Sequence, residues 1–183
     1  MENRIYLVRH GMTQANLENR FGGRTGEPLH PEGVEQMRQL GKKLQPLNIS
    51  GIYCGPLARV VQSAEIIGEK LGVQRKIEEA LNEISIPHWD GLSKQEIRDR
   101  FGDEYPCWLE QPAGFKVPGC ESLAEVQDRA VAAVEKIRSG RPEENILLVG
   151  NLIVLRCLVL HYRCLAINDF RSIKIDNGAI IRI

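Results

Sequence analysis

The chain has 183 residues, balances 24 Lys and Arg against 24 Asp and Glu, and is 43% hydrophobic. That length suits one α/β domain with a sizeable core and leaves little room for a second, so residues 1–183 read as a single domain. Formal neutrality removes the electrostatic case for nucleic acid as a partner, and 26% charged residues with ordinary apolar content exclude a largely disordered chain.

Ile5-Tyr6-Leu7-Val8 is a short apolar run ending at Arg9-His10-Gly11, which predicts a buried strand opening into a loop. Val34, Met37, Leu40, Leu44 and Leu47 recur at helical spacing over 31–47, with Pro31 near the first turn. Ile52-Tyr53-Cys54 is a second candidate strand, and Leu57 to Leu71 reads as a helix. Ser93-Lys-Gln-Glu96 and Ser122-Leu-Ala-Glu125 fit capping boxes that start helices near 93–101 and 122–139. The Pro/Gly-rich stretch from Pro106 to Gly119 reads as a surface loop. Ile146 to Val149 is the strongest buried strand, followed by a helical run from Leu152 to Leu165. Ile173 to Ile175 and Ala179 to Ile183 flank Asp176-Asn177-Gly178, which predicts a hairpin.

Strands alternating with helices imply a three-layer α/β sandwich: a mostly parallel central sheet with helices on both faces, and an antiparallel addition near the C-terminus. Ligands of such sheets sit beyond the carboxyl ends of the strands. His10 and Asn151 both fall there.

The five cysteines, 54, 107, 120, 157 and 164, are odd in number and lack metal-ligand spacing, so free thiols are expected. The N-terminal MENRIYLVRHG has too few apolar residues for a signal-peptide core, and the run Ile146 to Leu160 is broken by Gly150, Asn151 and Arg156. These features predict a soluble, cytoplasmic protein with neither membrane nor nucleic acid as partner.

Arg9-His10-Gly11 is the first candidate site. A held, unprotonated imidazole can attack phosphorus, an adjacent guanidinium can neutralise phosphoryl oxygens, and Gly11 would permit close approach of the backbone to a ligand. The bland alternative is an ordinary strand end with a capping histidine.

The pattern around it is more specific. Leu7-Val8-Arg9-His10-Gly11-Met12-Thr13, with Asn16, resembles the signature of the histidine phosphatase superfamily, which includes the cofactor-dependent phosphoglycerate mutases. Further blocks agree in order. Asn16 to Gly23 resembles the segment after the nucleophile, and Glu27 to Gly33 the "PLT..G" block, with His30 in place of Thr. Leu57 to Ala64 resembles "L.RA.QTA". Leu81-Asn82-Glu83-Ile84 with Trp89-Asp90-Gly91 resembles "L.E...G.WEG", and Pro118-Gly119-Cys120-Glu121-Ser122 resembles "PGGES".

This resemblance implies a phosphoglycerate mutase-like fold and roles for particular positions. His10 would take the phosphoryl group as phosphohistidine. Arg9 and Arg59 would clamp its oxygens, Asn16 would add a hydrogen bond, and Gly23 would line the substrate end of the pocket. Glu83 would protonate the leaving alcohol and then activate water. No metal or cofactor is implied, and the expected partner is a small phosphorylated metabolite. Taken alone, Arg59 reads as a solvated helix charge and Glu83 as surface; so do Arg98, Asp99 and Arg100.

One block departs. Where the family places Ser-His-Gly after the late strand, this chain has Gly150-Asn151-Leu152. An amide at 151 donates a hydrogen bond but carries no positive charge, and Leu152 adds bulk near the ligand. Pro87-His88 before Trp89 is a smaller departure, where a glycine is usual, and His88 is expected on a solvent-exposed loop. The resulting expectation is a phosphatase of small phosphate monoesters, weakened by Asn151, since its short length disfavours a mutase. The alternatives are a degenerate member that binds phosphate esters or a partner protein, and, behind it, a mutase.

Overall fold

A computed structural model describes residues 4–183; residues 1–3, which open the N-terminal stretch read above, lie outside the described residues. Strand β1 (Arg4–Arg9) carries the first apolar run and ends at the loop holding His10. The short helix α1 (Gln14–Leu17) is capped by Thr13 and followed by α2 (Pro31–Leu44), β2 (Ile49–Cys54), α3 (Ala58–Leu71) and β3 (Arg75–Ile77). Helices α4 (Lys94–Arg100) and α5 (Glu104–Glu110) precede the long α6 (Leu123–Ser139), and β4 (Asn145–Gly150), α7 (Leu152–Tyr162) and β5 (Ile180–Arg182) complete the chain.

The sheet has the order β3-β2-β4-β1-β5, parallel throughout except for β5, which runs antiparallel to β1. Alternation along the strands divides the core in two. Ile5, Leu7, Ile146 and Leu148 face α6, α7 and the aromatic residues around α5. Tyr6, Val8, Leu147 and Val149 face α2 and α3. Each fully buried aliphatic side chain stabilises the fold by about 1.5–3 kcal/mol. The register aligns Arg9 with Gly150, so the loops after β1 and β4 emerge side by side. That juxtaposition makes the site.

Several expected elements differ. The predicted hairpin is replaced by a 3-10 segment, Ile167–Ser172, and an irregular stretch; β5 pairs with β1 instead. The carbonyls of Ile173 and Ile175, which a ladder would have used, accept from Arg156 Nε at 2.7 Å and an Arg9 terminal nitrogen at 2.8 Å. The turn itself forms, with Ala179 N–H donating to Asp176 at 2.9 Å and Gly178 at φ +75. The expected loop from Pro106 to Gly119 is partly helical. Pro106 sits in the first turn of α5, where its missing N–H forfeits no intrahelical bond. Helix α2 stops at Leu44, with Gln45–Leu47 continuing as a 3-10 turn, and α7 ends at Tyr162. Strand β3 was not anticipated: Arg75-Lys76-Ile77 has no apolar run, being an edge strand.

Candidate active site

His10 is buried where β1 ends, its backbone N–H donating to the Gly150 carbonyl at 3.1 Å. Its Nδ1 lies 2.7 Å from the carbonyl oxygen of Gly11. A carbonyl only accepts, so Nδ1 carries the proton and Nε2 of the neutral ring keeps its lone pair. Burial, then the charges of Arg59 and Arg9, hold the imidazole well below its ordinary pKa. The ring is therefore neutral at physiological pH, as a nucleophile requires.

The loop is tied down from three directions. Gly11 N–H donates to Ser63 Oγ on α3 at 3.1 Å, and Met12 N–H to Gln36 Oε1 on α2 at 3.0 Å. Asn177, from the C-terminal turn, donates through Nδ2 to the carbonyl of His10 at 3.0 Å and to Asn16 Oδ1 at 3.0 Å. Asn16 Oδ1 also accepts from Thr13 N–H, which leaves its own Nδ2 as the end available to a ligand. A Cβ on Gly11 would lie 2.5 Å from the Gly33 carbonyl oxygen. The glycine thus serves close packing against the start of α2, and it contributes no surface to the cleft.

Arg59 enters from the first turn of α3 and is buried. Its Nε donates to Asn151 Oδ1 at 2.9 Å, and its terminal nitrogens to the carbonyls of Gly23 at 2.6 Å and Thr25 at 3.2 Å. Of its five N–H groups these bonds use three, and the two others remain for an anion. Gly23 has φ +46, and a Cβ there would fall inside the Asp90 carboxylate. Arg9 donates to Ile175, while its Nε is buried without a hydrogen-bond partner. Burial lowers the Arg9 pKa to about 10, so it stays charged.

Glu83 is buried as well. Its Oε1 accepts from the N–H groups of Ile84 at 2.9 Å and Val154 at 3.3 Å, and its Oε2 from Ile153 at 3.2 Å. It therefore caps the N-terminus of α7, a task that usually falls to the N-cap side chain. Asn151, the N-cap residue, makes no side-chain cap bond, because its oxygen is given to Arg59. Desolvation raises the Glu83 pKa, opposed by those N–H groups and by Arg59. A carboxyl that holds its proton unusually well suits a general acid.

These groups meet at a cleft of about 520 Å³. It is lined by seven Arg and Lys side chains and one carboxylate, Glu83. The exposed Arg20, Lys94, Arg171 and Lys174 form its basic rims, and Phe21, Trp89 and Trp108 also line it. A neutral protein thus concentrates positive charge in one concavity, which selects small anions. Among the described residues, no group of three or more His, Cys, Asp or Glu is placed to hold a metal ion.

Of the positions expected from sequence, Arg9, His10, Asn16, Gly23, Arg59, Glu83 and Leu152 line this cleft. Asn151 does not: it is wholly buried behind Arg59, and its Nδ2 has no hydrogen-bond partner. Thr13, Arg156 and Asn177 line the cleft and were not anticipated. Asn177 lay within the turn signal, which explained its residue type without a further role. Arg156 lay in an apolar helical run, where a lone arginine was itself a signal. His88 is half-buried and pairs with Glu104 rather than standing free on a loop.

Fold and site together define an α/β protein with an anion-receiving cleft at the carboxyl ends of its parallel strands. The chain belongs to the histidine phosphatase superfamily, branch 1, whose family model matches residues 5–183. It is 33% identical to "Probable phosphoglycerate mutase GpmB" of Salmonella choleraesuis over 183 residues, covering 98% of this chain and 83% of that one. It is 28% identical to "Putative phosphoserine phosphatase 2" of Hydrogenobacter thermophilus, covering 98% and 88%. The structure of Bacillus stearothermophilus YhfR superposes with a TM-score of 0.93 at 27% identity, covering 98% of this chain and 90% of that one.

Proposed function

We propose that this protein is a phosphatase of small phosphate monoesters that works through a phosphohistidine on His10. The observation that carries this reading is a neutral, tautomer-fixed imidazole sharing one basic cleft with a buried carboxyl of raised pKa. His10 Nε2 attacks phosphorus while Arg9, Arg59 and Asn16 hold the phosphoryl oxygens. Protonated Glu83 gives its proton to the departing alkoxide. It then takes one from the water that cleaves the phosphorus–nitrogen bond, which regenerates His10 and releases phosphate. The similarity to a relative named as a phosphoserine phosphatase supports the reaction class. The basic rims favour esters carrying further negative charge.

Turnover is expected to be reduced. Asn151 brings no positive charge to the phosphoryl group, and loss of one preorganised donor costs on the order of 10²–10³ in rate in a well-studied protease. A second reading, a phosphate-ester-binding protein with little turnover, is favoured by Leu152 at the cleft wall. One experiment separates the two. Purified protein is pulsed with a generic phosphomonoester, with and without EDTA, beside a His10→Ala variant, and adducts are mapped by mass spectrometry without acid. Hydrolysis that survives chelation, with a phosphoryl group on His10, is expected. Binding without hydrolysis or adduct would establish the second reading, and a phosphoryl group on Ser, Thr or Asp would refute the mechanism.

A further inference from the structure

Away from the cleft, side chains from three separate segments meet in the order thiol, imidazole, carboxylate. His88 Nε2 lies 2.6 Å from Glu104 Oε2, and His88 Nδ1 lies 3.7 Å from Cys120 Sγ. A carboxylate only accepts, so Nε2 carries the proton of the neutral ring and Nδ1 presents its lone pair to the thiol. The ring is held in place. Glu104 Oε2 also accepts from Trp89 Nε1 at 3.1 Å, and Phe101 packs edge-on against His88 with centroids 4.6 Å apart. None of Cys120, His88 and Glu104 lines the catalytic cleft. Cys120 is partly exposed, and Gly119 beside it borders open space.

A nucleophile, a base within reach and a third group orienting that base are the parts that activate a side chain for attack. The other cysteines lack them. Cys54 and Cys157 are buried, and burial pushes their thiols up to about 11 and about 12. Cys107 Sγ faces the Gln111 carbonyl, and Cys164 is exposed. Cys120 stands where the "PGGES" block quoted above has its second glycine.

We infer that Cys120, with His88 as its base and Glu104 as the orienting carboxylate, is a modification site that reacts with low-molecular-weight disulfides. Burial and the charge of Glu104 hold the thiol above its ordinary pKa, so it rests protonated. The S–H bond therefore breaks during attack, and its proton passes to His88 Nδ1. The Cys120 sulfur forms a bond to one sulfur of the disulfide, whose S–S bond breaks. The departing thiolate takes the proton from His88, leaving a mixed disulfide and one free thiol.

The test treats the full chain with 2-hydroxyethyl disulfide, a neutral probe, and maps mixed disulfides over time by peptide mass spectrometry after acid quenching. Cys120 should react at least about ten-fold faster than the more exposed Cys164, a modest share of the roughly 10²–10⁴-fold that a positioned base contributes. His88→Asn should lower Cys120 to the Cys164 rate or below it, with the Cys164 rate itself constant. Exposure alone predicts the opposite, because removing the imidazole uncovers the thiol. Where His88→Asn also alters Cys164, Glu104→Gln decides, since it keeps an oxygen acceptor for Trp89 Nε1 while removing the charge. Cys120 reacting no faster than Cys164 in the parent chain, or not slowed in the deciding variant, overturns the assignment.

Discussion

A proton on His10 would sit in a buried site beside Arg9 and Arg59, and the fold resists it. The folded pKa lies below the unfolded value of about 6.5, so unfolding takes up a proton once the pH falls under that value. The stability contributed by neutral His10 is thus fully present above about pH 6.5 and is lost as the pH falls toward the folded pKa. Urea denaturation from pH 7.5 to 5 should show the parent losing up to about 1.4 kcal/mol per pH unit more than His10→Gln. Parallel curves would mean that the ring takes up its proton equally in the folded and unfolded states. Arg59 and Asn151 supply a second test at this scale. Arg59→Ala should weaken orthovanadate binding by about 1.5–3 kcal/mol, as loss of a charge-assisted contact does. Asn151→Ala should weaken it by less, acting through the orientation of Arg59. Calorimetry that finds Asn151→Ala unchanged would reduce Asn151 to a space-filling residue. The sequence identified both positions but not their bond, because residues 92 apart in the chain reveal no geometry by spacing.

Among the elements, α2 and the loop after β1 approach more closely than side chains allow. The Gly33 Cβ position lies beside the Met12 backbone nitrogen at 2.6 Å, and Gly11 meets Gly33 in the same way. Gly33→Ala should therefore destabilise the protein by about 1–3 kcal/mol, the usual cost of forcing atoms into a packed site. It should also lower turnover more than its stability loss explains, by displacing His10, and thermal melts paired with rate measurements will check this. By contrast, Ser122→Ala removes only the cap of α6 and should cost about 1 kcal/mol with kcat unchanged. Capping boxes and apolar runs made α4, α6, β1 and β4 legible from sequence, since each is determined by near neighbours. Helix α5 and the pairing of β5 were not. Pro106 disguised the first, and the second depends on carbonyls claimed by Arg9 and Arg156 across the fold.

For the molecule as a whole, charge is balanced but unevenly placed. Because the basic cleft focuses the attraction, kcat/KM for a multiply charged phosphomonoester should fall as salt rises toward and beyond about 0.15 M, where charges are screened over about 8 Å. The kcat should change little, and a salt-independent kcat/KM would show that the rims do not steer substrate. Composition announced neutrality and could not announce this polarity, which exists only once distant segments converge. The sheet has a further consequence. Its two outer strands, β3 and β5, are three residues each, and both place an exposed isoleucine, Ile77 and Ile180, at the margin. Long apolar margins invite backbone pairing between molecules, and natural proteins shorten them or stud them with charge. Here Arg75, Lys76 and Arg182 share those strands, so two copies meeting edge to edge would gain few hydrogen bonds while bringing like charges together. Resistance to self-aggregation is thus built into the same short strands that close the sheet.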